Sequence, residues 1–276
     1  MTHDHDHPAE PALADMLDLD GQVLSAYWTA AFDWVGEHAP HPVERVLDLG
    51  AGSGVGTLAL AVRFPAAQIT AVDLDEQMLD RIRHRAEERG LAGRVHTVVA
   101  DLDEQWPDVE PVDLAWASNS LHHLVNPDHA LAGLFGALRP GASMAVAEFN
   151  EALRFLPDDL GDGLEARCLE LSRHDHAVAL PHLGSDWSSW LTGAGFELVG
   201  ERTFEIDVTE PSPEALRYAH FWLSRLRSGG AERLAAGDAR LLGDLLDEPD
   251  PGLARVRLHI RGERTVTMAR KPGKRS

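Results

Sequence analysis

A short apolar segment that leads into a glycine-rich loop and then into a helical segment constrains the fold of this chain more than any other feature. Residues 43–49 form the apolar run, residues 50–54 read Gly-Ala-Gly-Ser-Gly, and residues 55–64 have helical spacing. This order predicts a β-strand, a tight turn and an α-helix. Glycine suits such a turn because the chain reverses within a few residues and a ligand can approach the backbone N–H groups at the helix start.

The alternation of strands and helices continues to residue 149. Further strands are predicted at residues 68–72, 95–100, 112–117 and 142–149. Asp75 is predicted to cap a helix that ends at Gly90, and Asn126-Pro127 begins another that Arg139-Pro140-Gly141 stops. Because such connections close as right-handed crossovers, the pattern predicts an α/β fold with an open, mostly parallel sheet and helices on both faces.

The segments before and after this region do not show the regular alternation of strands and helices. Residues 13–38 predict two short helices broken around Asp20-Gly21, and residues 150–184 are mixed and polar. Ser185 is predicted to cap the next helix. The remaining predicted elements are a strand at 196–208, helices at 214–226 and 232–246, and a last strand at 259–269.

Composition excludes several classes of function. The chain has 25 Lys and Arg against 45 Asp and Glu, a net charge of −20, which disfavours nucleic acid and anionic membranes as partners. Cys168 is the single cysteine, so no internal disulfide forms and a reducing cytoplasm fits. Lys271 and Lys274 are the only lysines, which argues against a lysine nucleophile inside the fold. No export signal or membrane span is predicted.

Three histidines near the start are a weak candidate for a metal site. His3, His5 and His7 alternate with acidic residues, but a segment without apolar anchors rarely holds a fixed geometry. We therefore predict a disordered end over residues 1–11 and no metal.

Four motifs in order within residues 43–150 indicate the class of cofactor. They are Asp48-Leu49-Gly50-Ala51-Gly52-Ser53-Gly54, Asp73 after the next strand, residues 112–118 with Leu121-His122-His123-Leu124, and Leu138-Arg139-Pro140-Gly141. The dinucleotide loop G-x-G-x-x-G is not matched, because Val55 and Thr57 stand where its third glycine is needed. Together these motifs closely resemble the class I S-adenosylmethionine-dependent methyltransferases of the small-molecule type.

The charges around the loop agree with this resemblance independently. S-adenosylmethionine carries a sulfonium and an ammonium but no phosphate, so acidic neighbours such as Asp48, Asp73 and Asp75 suit it. The sequence has no Lys or Arg between Arg45 and Arg63. A dinucleotide pyrophosphate would gain nothing from this loop.

The resemblance implies S-adenosyl-L-methionine as the cofactor and a Rossmann-like, seven-stranded sheet whose last strand is antiparallel. It also implies a set of cofactor-binding residues, which are Asp48, Gly50, Ala51, Gly52 and Gly54 at the methionyl part, Asp73 at the ribose, Leu74, Asp101 and Leu102 at the adenine, with Ser118, Asn119 and Tyr27 completing the site. Two of these have a structural alternative, since Asp73 and Asp101 can also cap the turns after their strands. Asp73 lies about 20 residues after Gly54, the offset that ribose recognition requires.

The resemblance divides the chain into four parts. They are a disordered end at 1–11, an N-terminal helical lid at 12–40, the cofactor-binding core at 41–150, and residues 151–276, which complete the sheet. Insertions at about 150–184 and 209–254 are expected to cover the acceptor. Their arginines are expected mostly to pair with neighbouring carboxylates.

His122 and His123 are the candidate catalytic bases, because they follow the fourth strand at the edge where the methyl is expected. Packing or capping is an equally good account of either histidine, and we favour His123 of the two. The predicted function is methyl transfer to an O, N or C atom of a small molecule. Three alternatives stay open, namely a non-catalytic binding protein, an NAD(P)-dependent oxidoreductase and an RNA methyltransferase. The oligomeric state is also open, with a homodimer among the options.

Overall fold

The computed structural model of the protein describes residues 10–149, 151–180, 182–210, 212–229, 233–247 and 252–273. His3, His5 and His7 lie outside these residues, as does most of the segment 1–11. The strands are β1 (Arg45–Leu49), β2 (Gln68–Asp73), β3 (Val95–Val99), β4 (Val112–Ser118), β5 (Leu138–Phe149), β6 (Glu197–Val208) and β7 (Ile260–Arg270). They form one sheet in the order β3-β2-β1-β4-β5-β7-β6, and β7 runs antiparallel to both of its neighbours. The predicted α/β fold with an antiparallel last strand is confirmed.

Helices flank the sheet on both faces. They are α1 (Glu10–Val23), α2 (Ser25–His38), α3 (Val55–Arg63), α4 (Glu76–Glu88), α5 (Pro127–Ala137), α6 (Leu164–Ala179), α7 (Trp187–Gly193), α8 (Pro213–Gly229) and α9 (Ala236–Leu246). Within the described part of the chain, none of them has the length and apolarity that crossing a bilayer requires.

Alternate residues of the central strands supply two separate apolar cores. In β4, Leu114 and Trp116 point to the core under α2, α3 and α8, whereas Ala115 and Ala117 point to the core under α5 and α7. Burial on both faces is what a central parallel strand requires. The sheet therefore holds the carboxyl ends of β1, β2 and β4 at one fixed edge.

The local signals at the helix starts are confirmed in two places. Asp75 accepts a hydrogen bond from Gln77 N (2.8 Å) at the start of α4, and Asn126 accepts one from His129 N (3.2 Å) at the start of α5. Gly90 follows α4 with a φ of +68°, the left-handed conformation expected after a helix end.

The predicted break at Asp20-Gly21 is wrong, because α1 continues to Val23 and the junction with α2 falls at Leu24. Gly21 is a packing position: a Cβ there would lie 2.7 Å from Cγ1 of Val55. Asp20 is 5% exposed and accepts hydrogen bonds from side chains of other elements. Tertiary contacts therefore override the helix-breaking preference of these two residues.

Two other boundaries differ from the sequence predictions, and one segment without predicted elements contains a helix. Strand β5 begins at Leu138, which pairs with Val112, and a register shift before Leu114 accommodates Pro140 inside the strand. The polar segment 150–184 contains α6, whose Glu165 is buried and accepts from the Phe155 and Leu156 N–H groups (2.8 and 3.1 Å). Asp186, not Ser185, caps α7 by accepting from Ser189 N (3.1 Å).

Candidate functional site

The glycine loop lies between β1 and α3, and two of its glycines are required by close neighbours. Gly50 and Gly54 have φ values of +63° and +86°. A Cβ on Gly50 would lie 2.4 Å from Cβ of Ser120, and a Cβ on Gly54 would lie 2.5 Å from Cγ1 of Ile82. The loop is therefore held against the segment after β4 and against α4, and its shape depends on the missing side chains.

Asp73, at the end of β2, ties the loop to the sheet edge. Its Oδ2 accepts from Gly52 N (2.7 Å) and its Oδ1 accepts from Asp75 N (3.0 Å). Burial raises the pKa of the Asp73 carboxyl, and these backbone hydrogen bonds oppose that rise without cancelling it. The turn-capping role is therefore present, and a carboxylate with about four acceptor positions can still accept from two hydroxyls.

Asp48 lies beneath the loop, not on its surface. Asp48 is 2% exposed, and its Oδ2 accepts from Thr57 Oγ1 (2.6 Å). Burial raises its pKa to about 7, the Thr57 hydrogen bond opposes this, and the charge of Asp73 adds to it. Asp48 can act on a ligand through the loop that it supports and, once ionised above about pH 7, through its charge.

An exposed apolar surface follows the ends of β2 and β3. Leu74 is 66% exposed and Val99 is 52% exposed, which is unusual for side chains of this size next to a buried sheet. Asp101 is half-buried beside them, and its Oδ1 accepts from Asp103 N (2.9 Å). Leu102 is also half-buried and packs on the second core. A flat, partly apolar ring with a polar edge fits this surface.

Ser118 and Asn119 end β4 at the same edge. Asn119 has a φ of +49°, uncommon for a residue other than glycine, and its N–H donates to the Ala147 carbonyl (2.8 Å). Within the described residues, Ser118 Oγ and Asn119 Oδ1 are buried without a hydrogen-bond partner. Buried polar atoms are normally paired, so these two atoms mark a place for a polar ligand.

The two candidate bases differ in their surroundings. Both belong to the 3₁₀ turn Leu121–His123, but His122 is 2% exposed whereas His123 is exposed. His122 Nδ1 lies 2.6 Å from Oε2 of Glu148, near the end of β5. The sequence analysis missed Glu148, although an acidic residue at the carboxyl end of an apolar strand is a usable signal.

Tyr27 lies on α2, in the aromatic cluster of the core under α2, α3 and α8. Its ring packs edge-on against Trp28 and Phe204 (centroids 5.5 and 5.9 Å), and the Arg264 guanidinium carbon lies 5.0 Å from its ring centre. Burial raises the pKa of its hydroxyl to about 12. Its hydroxyl oxygen is buried without a hydrogen-bond partner in the part of the chain that the structure covers.

The sequence analysis missed two residues at the loop. Leu17 of α1 covers Gly52, since its Cδ1 lies 2.9 Å from where a Cβ of that glycine would be. Arg85 of α4 donates to the Ser53 carbonyl (3.0 Å) and also pairs with Asp18. Neither residue is adjacent to the loop in sequence, so no local pattern reveals them.

Comparison with known proteins identifies the family. Residues 46–141 match the model of a family described as a methyltransferase domain. The chain is 34% identical over 178 residues to demethylmenaquinone methyltransferase of Clavibacter sepedonicus, a match that covers 59% of this chain and 70% of that protein. The chain belongs to the class I S-adenosylmethionine-dependent methyltransferases. The resemblance inferred from the sequence motifs is confirmed.

Other curated relatives are matched over a smaller share of their length. Trans-aconitate 2-methyltransferase of Streptomyces coelicolor is 33% identical over 163 residues, covering 56% of this chain and 52% of that protein. The chain thus spans about half the length of that relative. It spans 26% of an uncharacterized protein of Synechococcus sp. and 54% of the ubiquinone/menaquinone biosynthesis C-methyltransferase of Dinoroseobacter shibae.

Solved structures with the same fold are more distant in sequence. A candidate methyltransferase from Bacillus halodurans has a TM-score of 0.56 at 20% identity, covering 88% of this chain and 98% of its own. Phosphoethanolamine N-methyltransferase 2 of Haemonchus contortus, solved with S-adenosyl-L-methionine, has a TM-score of 0.56 at 16% identity, covering 98% and 59%. At these identities the likeness shows the fold alone.

Several charged and aromatic residues that follow residue 150 serve structure. Arg154 pairs with Asp158 and with buried Glu165, as expected for arginines in an acidic chain. Cys168 and Trp187 are buried in the two cores. Tyr218 is fully buried and its hydroxyl donates to Asp20 (2.6 Å), so it joins α8 to α1.

Proposed function

We propose that the protein transfers a methyl group from S-adenosylmethionine to an O, N or C atom of a small molecule. The observation that carries this proposal is the Asp73 carboxylate, which joins the loop to the sheet edge and keeps acceptor capacity for a diol. When bound, S-adenosylmethionine supplies a methyl carbon already activated by its positive sulfur. The protein then has to bind and orient both molecules, exclude water and accept a proton.

The arrangement of the edge supports the assignment of residues to the cofactor. Asp73 would accept from the ribose hydroxyls, and exposed Leu74 would pack on the adenine, with Asp101 and the Leu102 N–H at its polar edge. The remaining assignments concern the methionyl part of the cofactor. The loop would contact it through Gly50, Ala51, Gly52 and Gly54, and Asp48 would act through its charge. Ser118 and Asn119 would contribute their unpartnered oxygens, and Tyr27 completes the set.

A small molecule is the acceptor class that the charges and the relatives favour. The net charge of −20 opposes a polyanionic substrate. The names of the relatives specify trans-aconitate and demethylmenaquinone, both small molecules. The two insertions are tied together by Arg167 of α6, which pairs with Asp238 of α9 (2.6 Å). Within the second insertion, His220 Nε2 of α8 lies 3.0 Å from the Leu246 carbonyl oxygen. The two insertions would form the wall around the acceptor.

The proposal is tested first by binding and then by turnover. Isothermal titration should show binding of S-adenosylmethionine and of S-adenosylhomocysteine, and none of NAD. The protein should then release S-adenosylhomocysteine with at least one member of a metabolite library.

Binding without release across the library would favour a non-catalytic binding protein. Binding of NAD alone would favour an oxidoreductase, and retention of tRNA on filters at low salt would favour an RNA substrate.

A further inference from the structure

A buried histidine–carboxylate pair stands at the edge where the acceptor is expected. His122 follows β4 and Glu148 lies near the end of β5, so adjacent parallel strands bring them together. Their side chains are 3% and 8% exposed, and Nδ1 lies 2.6 Å from Oε2. Such a pair is costly to bury, and a packing histidine does not need a carboxylate partner.

The geometry fixes which nitrogen can take a proton. A carboxylate accepts only, so Nδ1 has to carry the hydrogen in this bond, and the lone pair of the neutral ring is then on Nε2. The ring is also held from its sides, with the His123 ring 4.3 Å and the Phe149 ring 5.2 Å away between centres. The bond to Glu148 therefore favours the Nδ1–H tautomer of neutral His122, and the two neighbouring rings restrict rotation of its imidazole.

The carboxylate has unused capacity. Within the described residues, Oε1 of Glu148 is buried without a hydrogen-bond partner, as are Ser118 Oγ and Asn119 Oδ1 at the end of the neighbouring strand. Leaving a buried acceptor unpaired costs free energy. These three oxygens can accept from or orient a polar group that enters beside His122.

We propose that the acceptor is a hydroxyl compound, that Nε2 of His122 is the catalytic base, and that Glu148 is the residue that positions it. This inference rests on the proposed function. The hydroxyl proton moves to Nε2 as the oxygen electron pair forms the O–C bond. The bond between the methyl carbon and the sulfur breaks, and its electron pair stays on sulfur. The proton on His122 then passes to water.

A hydroxyl acceptor explains the pair better than an amine does. A neutral amine already has a nucleophilic lone pair and can lose its proton to water after transfer. A hydroxyl oxygen is a poor nucleophile until its proton is removed, so a dedicated base contributes to the rate. The charge of Glu148 stabilises the imidazolium that this transfer creates.

The first test reads the tautomer of His122 without turnover. Long-range ¹H–¹⁵N spectra are recorded on the full chain labelled with ¹⁵N only at histidine. They should show that neutral His122 is protonated at Nδ1. The signals of His122 are assigned because they disappear in His122→Asn. Glu148→Ala should abolish this preference. A neutral His122 protonated at Nε2 in the parent would overturn the proposal.

The second test uses matched phenols, aliphatic alcohols and the corresponding amines as probes with S-adenosylmethionine. His122→Asn should slow hydroxyl methylation by about 10² to 10⁴-fold, and Glu148→Gln by at least about ten-fold, with unchanged calorimetric binding of S-adenosylhomocysteine. Glu148→Gln should also shift the acidic limb of the curve of kcat against pH. His84→Asn, on the exposed surface of α4, is the matched control.

Three results would contradict the inference while leaving the proposed function intact. They are products methylated only on nitrogen or carbon, parental hydroxyl rates in folded His122→Asn, or a loss confined to His123→Asn. Absence of S-adenosylmethionine binding in the parent would instead refute the proposed function. Circular dichroism melts of each variant identify any that fail to fold. If His122→Asn fails to fold, Glu148→Gln, which keeps the shape of the side chain, decides whether the inference holds.

Discussion

Asp48→Asn should change how the stability of the protein depends on pH. In the folded protein burial raises the pKa of Asp48 to about 7, from an ordinary value of 3.8. The folded state therefore holds a proton that the unfolded chain releases, and stability falls as pH rises from the ordinary value to about 7. Above that pH the whole penalty of the buried charge is present.

The magnitude follows from the same displacement. At about 1.4 kcal/mol per pKa unit, the buried Asp48 charge costs at most about 4 kcal/mol at pH 8. Asparagine keeps an oxygen that can accept from Thr57 Oγ1, but its amide brings two donors that need partners, at a cost of about 1–3 kcal/mol. That cost does not vary with pH, so the pH-dependent part of the difference carries the test.

Urea unfolding measures the difference in stability between Asp48→Asn and the parent from pH 5.5 to pH 8. This whole pH range lies above the isoelectric point of about 5.0. The stability of Asp48→Asn relative to the parent should rise by about 2 kcal/mol across that range. Asp80→Asn, at an exposed side chain of α4, should stay within about 1 kcal/mol of the parent. A difference for Asp48→Asn that is constant with pH would refute the assignment of a buried, protonated carboxyl.

Three further predictions concern the cofactor and the N-terminal helices. Asp73→Ala should weaken S-adenosylmethionine binding by about 3 kcal/mol in calorimetry while the protein still folds; intact binding with a lowered melting temperature would make Asp73 a turn cap alone. Asp20→Ala should cost about 3–5 kcal/mol in urea unfolding, because Arg264 is left buried without its partner, and a cost below about 1 kcal/mol would contradict this. Tyr27→Phe should weaken cofactor binding by about 1 kcal/mol, and hydrogen exchange over residues 13–38 should slow with S-adenosylhomocysteine; unchanged exchange at saturation would make these helices a static part of the core.

The core of the fold could be predicted from sequence because its signals are local. The strand ends at Leu49 and Asp73, the Asp75 cap and the Asn126-Pro127 start each depend on residues within a few positions of one another. The motifs between residues 43 and 150 also sufficed to recognise the family, since their order and spacing are one-dimensional properties.

The features that sequence reasoning missed depend on distant partners. Glu148 meets His122 only because β4 and β5 are neighbours in the sheet, and Leu17 reaches Gly52 only because α1 folds over the loop. Gly21 reads as a helix breaker until Val55 is seen against it. In each of these cases the reason for the residue is a contact that the linear sequence does not display.

The buried Asp20 carboxylate has a consequence for the order in which the chain can fold. It accepts from Arg264, 244 residues later, and from Tyr218, 198 residues later. During synthesis Asp20 leaves the ribosome long before either partner exists, so α1 cannot dock as it does in the finished protein until β7 has been made. The first helix is therefore expected to be among the last to settle, and a nascent chain that stalls before β7 would present its apolar side to chaperones.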